Sequence, residues 1–321
     1  MHRLARVACL AASLLAAAPV VAQDAYPSRP VRIVVGFGPA SAADIVARVL
    51  AQRLGTHMHQ QFVVETRPGA GSNIAAEYVA RAPKDGYTLL MATVANTTNA
   101  AMMPRLSFDF QKDLAPITLV TAVPILLAAN PQLGVRDVPA LIALAKQKPD
   151  AIIYGSSGTG TAAHLAGELF NTMAGVKLVH VPYPGSAQAL TDLIAGRIGL
   201  MFGAASTTLP HVQAGELVAL AMAQSTRSGI APDVPSMAEA GLPGFDTAVW
   251  FGLLAPAGTP PEIVSVLSRE VNAALKADEV IAPLRAQGME PIGGSPAEFA
   301  TYIGNEIAKW KPVVEAAGLR K

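Results

Sequence analysis

Between residues 154 and 161 the chain reads Tyr154-Gly155-Ser156-Ser157-Gly158-Thr159-Gly160-Thr161. A short apolar stretch, 151–153, precedes it and reads as a strand. Ala162-Ala163-His164-Leu165-Ala166-Gly167-Glu168-Leu169-Phe170 follows and reads as a helix. The first N–H groups of a helix have no partner inside it, the helix dipole adds partial positive charge there, and glycine lets a ligand approach the backbone closely. Ser156, Ser157, Thr159 and Thr161 add hydroxyl donors without adding a fixed charge. The chemistry available is the binding of a small anion. One such loop taken alone is more often an ordinary turn, so its recurrence elsewhere matters.

The elements needed to position such loops recur along the chain. Val31-Arg32-Ile33-Val34-Val35 reads as a strand, followed by a helix over 43–51. Phe62-Val63-Val64 is a second strand, leading through the turn Arg67-Pro68-Gly69-Ala70-Gly71 into a helix over 72–81. A third strand, 88–92, ends in a polar loop expected over 93–99. Strands alternating with helices at this spacing imply parallel sheets with right-handed crossovers, hence α/β architecture.

The apolar stretch 117–129, broken by Pro124, reads as a strand that leaves one sheet and enters another. Asp137 is placed to cap a helix over 138–146, with Pro139 in its first turn. Strands over 177–181, 199–202 and 217–223 alternate with helices beginning near Ser186 and Thr207. The last of these strands is expected to return the chain to the first domain. The resulting division is a first lobe over 23–122 and 224–321 and a second lobe over 123–223. Thr259-Pro260-Pro261-Glu262 and Ser295-Pro296-Ala297-Glu298 read as capping boxes opening two cladding helices. Tyr302 and Trp310 on the second of these read as packing residues.

In a parallel α/β sheet, ligands bind in the crevice at the carboxyl ends of the strands. Here those ends are 36–44, 92–99, 154–161, Pro182-Tyr183-Pro184-Gly185-Ser186-Ala187 and Gly203-Ala204-Ala205-Ser206-Thr207-Thr208, nearly all small, hydroxylated and uncharged. Two come from the first lobe and three from the second, which puts an anion-binding cleft between the lobes.

The N-terminus carries Arg3 and Arg6 ahead of an apolar run, 7–21, containing Pro19. Small residues close the run, so it reads as a signal peptide cleaved after Ala22. Cys9, the one cysteine of the chain, lies inside this segment, so the exported chain has no disulfide and no thiolate metal site. Losing Arg3 and Arg6 turns a formal charge of +1 into −1, which argues against nucleic acid as a partner.

Tyr26-Pro27-Ser28-Arg29-Pro30, Arg67-Pro68-Gly69-Ala70-Gly71, Asp85-Gly86-Tyr87-Thr88-Leu89, the run 156–161 with His164-Leu165, Val181-Pro182-Tyr183 with Gly185-Ser186, and Leu253-Leu254-Ala255-Pro256-Ala257-Gly258-Thr259-Pro260 resemble the Bug family. These are the extracytoplasmic solute receptors of tripartite tricarboxylate transporters. The resemblance covers the whole exported chain. It implies a two-lobed fold like that of type II periplasmic binding proteins, each lobe a mainly parallel sheet flanked by helices, with the ligand cleft between them. It also implies a periplasmic monomer that closes on a small organic acid and delivers it to membrane permease subunits. A sensor kinase is the alternative recipient, and a secreted hydrolase a further alternative.

Carried over by position, the ligand contacts implied are Phe37, Pro39, Ala40, Ser41 and Asp44 after the first strand, and Thr93 and Asn96 after the third. In the second lobe they are Ser156, Ser157, Gly158 and Thr161, then Gly185, Ser186 and Ala187, and Gly203. Two positions depart from the family pattern. Gly36-Phe37-Gly38-Pro39-Ala40-Ser41 replaces a Pro-Phe-Pro run, and Gly203 stands where an Asp often follows the strand Leu200-Met201-Phe202. Without that carboxylate to hold an amine, the reading favours a plain organic acid over an amino acid.

An enzyme fits poorly. Gly158-Thr159-Gly160 lacks the third glycine of a dinucleotide fingerprint, no Gly-Lys-Ser/Thr phosphate loop is present, and Gly155 and Gly158 are misplaced for a nucleophile elbow around Ser157. His164 has no placed acidic orienter and reads as structural, while His57 and His59 stand isolated in a polar loop. The function expected is binding, without catalytic residues, cofactor or metal.

Overall fold

The computed structural model describes residues 26–103 and 106–320. The expected signal peptide, 1–22, lies outside the described residues. The first strands are β1 (Val31–Val35) and β3 (Thr88–Thr93), both largely buried, and β2 (Phe62–Thr66), an edge strand that is only partly buried. Helices α1 (Ala42–His57), α2 (Asn73–Ala80) and α3 (Val94–Met102) follow them in turn. Strand β4 (Leu114–Ala129) leads into α4 (Val138–Gln147), capped by Asp137, which accepts from Ala140 N at 2.7 Å. The second half then alternates β5 (Ile153–Ser156), α5 (Ala162–Ala174), β6 (Val179–Pro182), α6 (Ser186–Ile194), β7 (Leu200–Ala204), α7 (Ala205–Gln213) and β8 (Val218–Met222). Strand β9 (Ala248–Pro256), α8 (Pro261–Ala274), α9 (Asp278–Ala286), β10 (Glu290–Pro291) and α10 (Pro296–Ala316) complete the chain.

The strands run in the order β2-β1-β3-β9-β4-β7-β5-β6, with β8 and β10 also on β4. The outer pairs β1–β2, β1–β3, β5–β6 and β5–β7 are parallel, whereas every pairing of β4 and β9 is antiparallel. The expected parallel sheets are therefore joined through an antiparallel centre. The sixteen-residue β4 crosses between the halves as its sequence suggests: 114–124 pairs with β9 and 125–129 with β7 and β8. The switch falls at Pro124, opposite Ala248, where proline has no N–H to give to a ladder.

The chain returns later than expected. Residues 225–246, read from sequence as part of the first lobe, stay with the second half, where Met237, Leu242 and Phe245 share a core with Phe170 and Phe202. Thr247 N donates to Ala223 O at 2.8 Å, and Ala223 N donates to Ile125 O at 2.8 Å, so the return crossing lies at 247–248 beside the outward one.

Three local readings also change. Of the segment 93–99, Thr93 ends β3 and 94–99 is helix, because Thr93 and Asn96 form a capping box: Thr93 N donates to Asn96 Oδ1 at 2.9 Å and Ala95 N to Thr93 Oγ1 at 3.2 Å. Strand β5 extends through Ser156, so Tyr154, Gly155 and Ser156 are strand residues. The box expected at 259–262 does not form: Pro260 caps α8 without a side-chain acceptor, and the Thr259 hydroxyl donates to Pro256 O. The box at Ser295 and Glu298 does form.

Helix α10 is more than cladding. Phe299, Ile303 and Ile307 pack into the first half with Trp250, while Trp310, Val313 and Val314 pack into the second. Glu306, 4% exposed, joins the two cores: the indole N–H groups of Trp250 and Trp310 both donate to its Oε2 at 3.1 Å. Lys309 neutralises it and also donates to Asp246 O. Removing a buried acceptor of this kind strands a cation and two indoles. Glu306→Leu is expected to lower the unfolding free energy by about 3 kcal/mol or more in urea denaturation, and Glu306→Gln by less, since an oxygen acceptor remains. A loss below about 1 kcal/mol for Glu306→Leu would show that this contact does not join the halves.

Candidate ligand-binding site

The carboxyl ends of the parallel strands in both halves open onto one cavity of about 700 Å³, a size suited to small-molecule ligands. Four helix starts reach it: Ala42 and Ala43 of α1, Val94 and Ala95 of α3, Ala162 and Ala163 of α5, and Ser186 of α6. None of the described residues lining it carries a charge. The available attraction for an anion is thus that of partnerless first-turn N–H groups and hydroxyls.

Seven of the residues expected from sequence line this cavity: Phe37, Ser41, Thr93, Ser157, Thr161, Ser186 and Gly203. The others stand behind or beside it. Pro39 and Ala40 lie exposed on the outside of their turn, and Ala40 has φ 61°, in the left-handed region. Asp44 is buried and holds that turn, accepting from Ala40 N at 2.9 Å and from Arg48 Nε at 2.9 Å. The Arg48 guanidinium keeps its carboxyl below the usual carboxylate range, helped by the Ala40 N–H. Asn96, 1% exposed, gives its Oδ1 to the α3 cap, while its buried Nδ2 has no hydrogen-bond partner. Gly185 caps α6 and Ala187 faces outward from it.

Ser156 and Gly158 act one layer below, bracing the loop that follows β5. The Ser156 hydroxyl contacts His180 Nε2 at 2.6 Å, and Gly158 N donates to Ser156 Oγ at 3.1 Å. Thr161 caps α5 and donates to Gly158 O at 2.7 Å. Gly158 and Gly160, with φ of 122° and 80°, take backbone conformations that favour glycine. Gly160 N donates to His164 Nδ1 at 2.9 Å, which fixes that nitrogen as an acceptor, and the imidazoles of His164 and His180 stack with centroids 3.8 Å apart. Below them the Tyr154 hydroxyl donates to Glu168 at 2.6 Å, and Gly167 leaves room for the Tyr154 ring, which a Cβ there would meet at 2.2 Å.

Sequence reasoning misses several wall residues. Ala70 and Gly71 follow β2, and the strand-end rule applied to that strand would find them. Met102 and Met103 arrive because 94–102 is helix, and Ile125, Val249 and Phe251 because the crossing strands themselves form the back wall. Among the described residues no helix is long and apolar enough to cross a membrane, and no group of three or more His, Cys, Asp or Glu is placed to hold a metal.

Gly203 has a neighbour that explains its lack of a side chain. A Cβ there would meet Thr208 Cγ2 at 2.5 Å, and Thr208 is buried with its hydroxyl held by Ala204 O.

The two stacked histidines make the loop pH-dependent. Burial pushes the His164 imidazole down to about 4, and burial together with the neighbouring His164 pushes His180 down to about 4. Both are neutral in the fold, whereas in the unfolded chain each takes a proton near the ordinary value of about 6.5. Their contribution to stability is full above about pH 6.5 and is lost as pH falls towards 4. The melting temperature should therefore hold steady above that value and drop by several degrees towards pH 4. His164→Gln, which can still accept from Gly160 N, should flatten the drop. An unchanged slope in that variant would place the titration elsewhere.

Comparison with known proteins identifies the fold and the family. The profile of the tripartite tricarboxylate transporter family receptor matches residues 46–319. Protein BugT of Bordetella pertussis (strain Tohama I) is 37% identical over 306 residues, covering 95% of this chain and 94% of BugT. An R. palustris protein solved with adipate is 41% identical, with a TM-score of 0.73 over 91% of this chain and 98% of that one. MatC from Rhodopseudomonas palustris, solved with bound malate, is 32% identical, with a TM-score of 0.71 over 90% of this chain and 100% of that one. The fold is the α/β fold of these solute-binding receptors, and the family is one of receptors and not of enzymes. The chain belongs to the tripartite tricarboxylate transporter receptor family.

Proposed function

We propose that the protein is a periplasmic receptor that captures a small organic acid between two lobes and hands it to the membrane permease of a tripartite tricarboxylate transporter. The observation that carries this reading is the convergence of four helix starts and uncharged hydroxyl loops from both halves on one cavity. The adipate and malate held by the R. palustris relatives support a carboxylate as ligand. The contacts proposed for the carboxylate are the hydroxyls of Ser157 and Ser186 and the first-turn N–H groups of α5, with Thr161 and Ser156 holding the loop in shape.

Three or four charge-assisted hydrogen bonds at roughly 1.5–3 kcal/mol each reach the gross range for micromolar binding, near 8 kcal/mol, before ordering costs. No catalytic group takes part. The lobes proposed are 23–124 with 248–321, and 125–247, bending at the paired crossings. Closure follows ligand binding because the closed form places both sets of helix starts on one ligand. The leader ending at Ala22 directs export, and the receptor works as a single chain.

A thermal-shift panel of organic acids, amino acids and nucleotides tests this reading. An acid at about a hundred times its dissociation constant should stabilise the fold by roughly 2.7 kcal/mol. A response to nucleotides alone would refute carboxylate capture. Ser157→Trp, which fills the cradle, should abolish the shift. Thr161→Val, which frees the Gly158 carbonyl, should weaken binding by about tenfold. Small-angle scattering should show compaction at saturating acid, and an unchanged radius of gyration would refute lobe closure.

A further inference from the structure

The cavity wall between β2 and α2 is the longest run of positive-φ backbone among the described residues. Gly69, Ala70, Gly71 and Ser72 have φ of 135°, 47°, 60° and 74°, and two of the four are not glycine. Such a conformation is unfavourable for a residue with a side chain and persists only where the surroundings hold it. Ser72 N donates to Gly69 O at 3.0 Å within the turn. Ser72 is also buried tightly against Gly36, where a Cβ would meet Ser72 Oγ at 2.1 Å.

The remaining hold comes from Asn99 of α3. Its Nδ2 donates to Gly71 O at 2.9 Å and, at 3.3 Å each, to Ala70 O and Asn73 Oδ1. Two of these acceptors are main-chain carbonyl oxygens, which only accept, so the amide has to turn its NH2 group towards them. The approach depends on Gly71, since a Cβ there would meet Asn99 Nδ2 at 2.7 Å. Ala70, Gly71 and Asn99 all line the cavity. The two carbonyl oxygens therefore lie at its wall, and the amide covers them. A carbonyl oxygen carries partial negative charge, which repels an anion in a space whose attraction comes from N–H groups and hydroxyls.

We infer that Asn99 is a positioning residue for ligand capture: its NH2 group holds the strained turn 69–72 and screens the Ala70 and Gly71 carbonyl oxygens from the anion in the cavity. The inference rests on the receptor reading above and deepens it. Without the amide, both carbonyl dipoles stand open beside the carboxylate, and Ala70 and Ser72 are released towards negative φ. Each change weakens the grip on an acid.

Calorimetric titration of wild type, Asn99→Leu and Asn99→Asp at pH 8 and pH 5.5 tests this. The probes are adipate, malate, hexanoate and benzoate, with any other carboxylate that stabilises the wild-type protein in the thermal-shift panel. Asn99→Leu, similar in size but without a donor, should bind about tenfold more weakly than wild type at both pH values. Asn99→Asp should bind about a hundredfold more weakly at pH 8, where its charge adds to that of the carbonyl oxygens. At pH 5.5 the introduced carboxyl, its proton affinity raised by those oxygens and by the bound anion, regains an O–H to donate. The deficit against wild type should then shrink to about tenfold. A merely structural contact gives no such recovery. Two results overturn the inference: Asn99→Leu, folded by circular dichroism, binding within about twofold of wild type, or an Asn99→Asp deficit equal at both pH values. Should Asn99→Leu not fold, the Asn99→Asp comparison decides alone. Either result leaves the receptor reading standing. Wild-type protein that binds none of these carboxylates overturns the receptor reading and the inference with it.

Discussion

An uncharged cavity attracts an anion only through dipoles, and the strongest dipoles a chain offers are helix starts whose first N–H groups have no partner. Much of this fold serves that constraint. The parallel groups β2–β1–β3 and β6–β5–β7 send each following helix out from the same edge of their sheet. The antiparallel strands β4 and β9 join the two groups so that their edges face one cavity. The long central strand is thus as much a part of the site as the loops, and Ile125, Val249 and Phe251 close the back of the cavity from it and its neighbour.

Preorganisation follows from what lies behind the loops. The turn after β1 is held by Asp44 and Arg48, and the loop after β5 by Ser156, Thr161 and the stacked pair His164 and His180. Loops held by such contacts lose less entropy on binding than unsupported ones. Residues that rank as contacts by position in sequence divide accordingly into those that touch the cavity, those that keep its wall in place and a few, such as Pro39 and Ala187, that face outward.

Much of this arrangement is legible in the chain. The β-branched runs mark strands, Asp137 and Ser295 mark helix starts, and Pro124 inside an apolar stretch marks the passage from sheet to sheet. The glycine and hydroxyl loops mark the cavity. What is not legible depends on contacts distant in sequence. Thr93 to Asn99 is polar and reads as loop, yet Asn96 turning back onto Thr93 N makes it helix and carries Met102 into the wall. The turn-rich 225–246 gives no periodic signal, and only Met237, Leu242 and Phe245 meeting Phe202 and its neighbours assign it to the second half. The double role of α10 likewise rests on Glu306 meeting Trp250 and Trp310, which no local pattern announces.

The contact between Gly203 and Thr208 also limits the mutational routes open to this receptor. An acidic side chain at 203 is the simplest means of recognising an amine, but the methyl of Thr208 occupies the space its Cβ needs, and β-branching together with the bond to Ala204 O holds that methyl in place. Acquiring the acid alone strains β7 against α7. Shrinking Thr208 alone opens a gap and abandons a hydrogen bond. An acidic residue at 203 therefore needs two coupled substitutions, each unfavourable without the other.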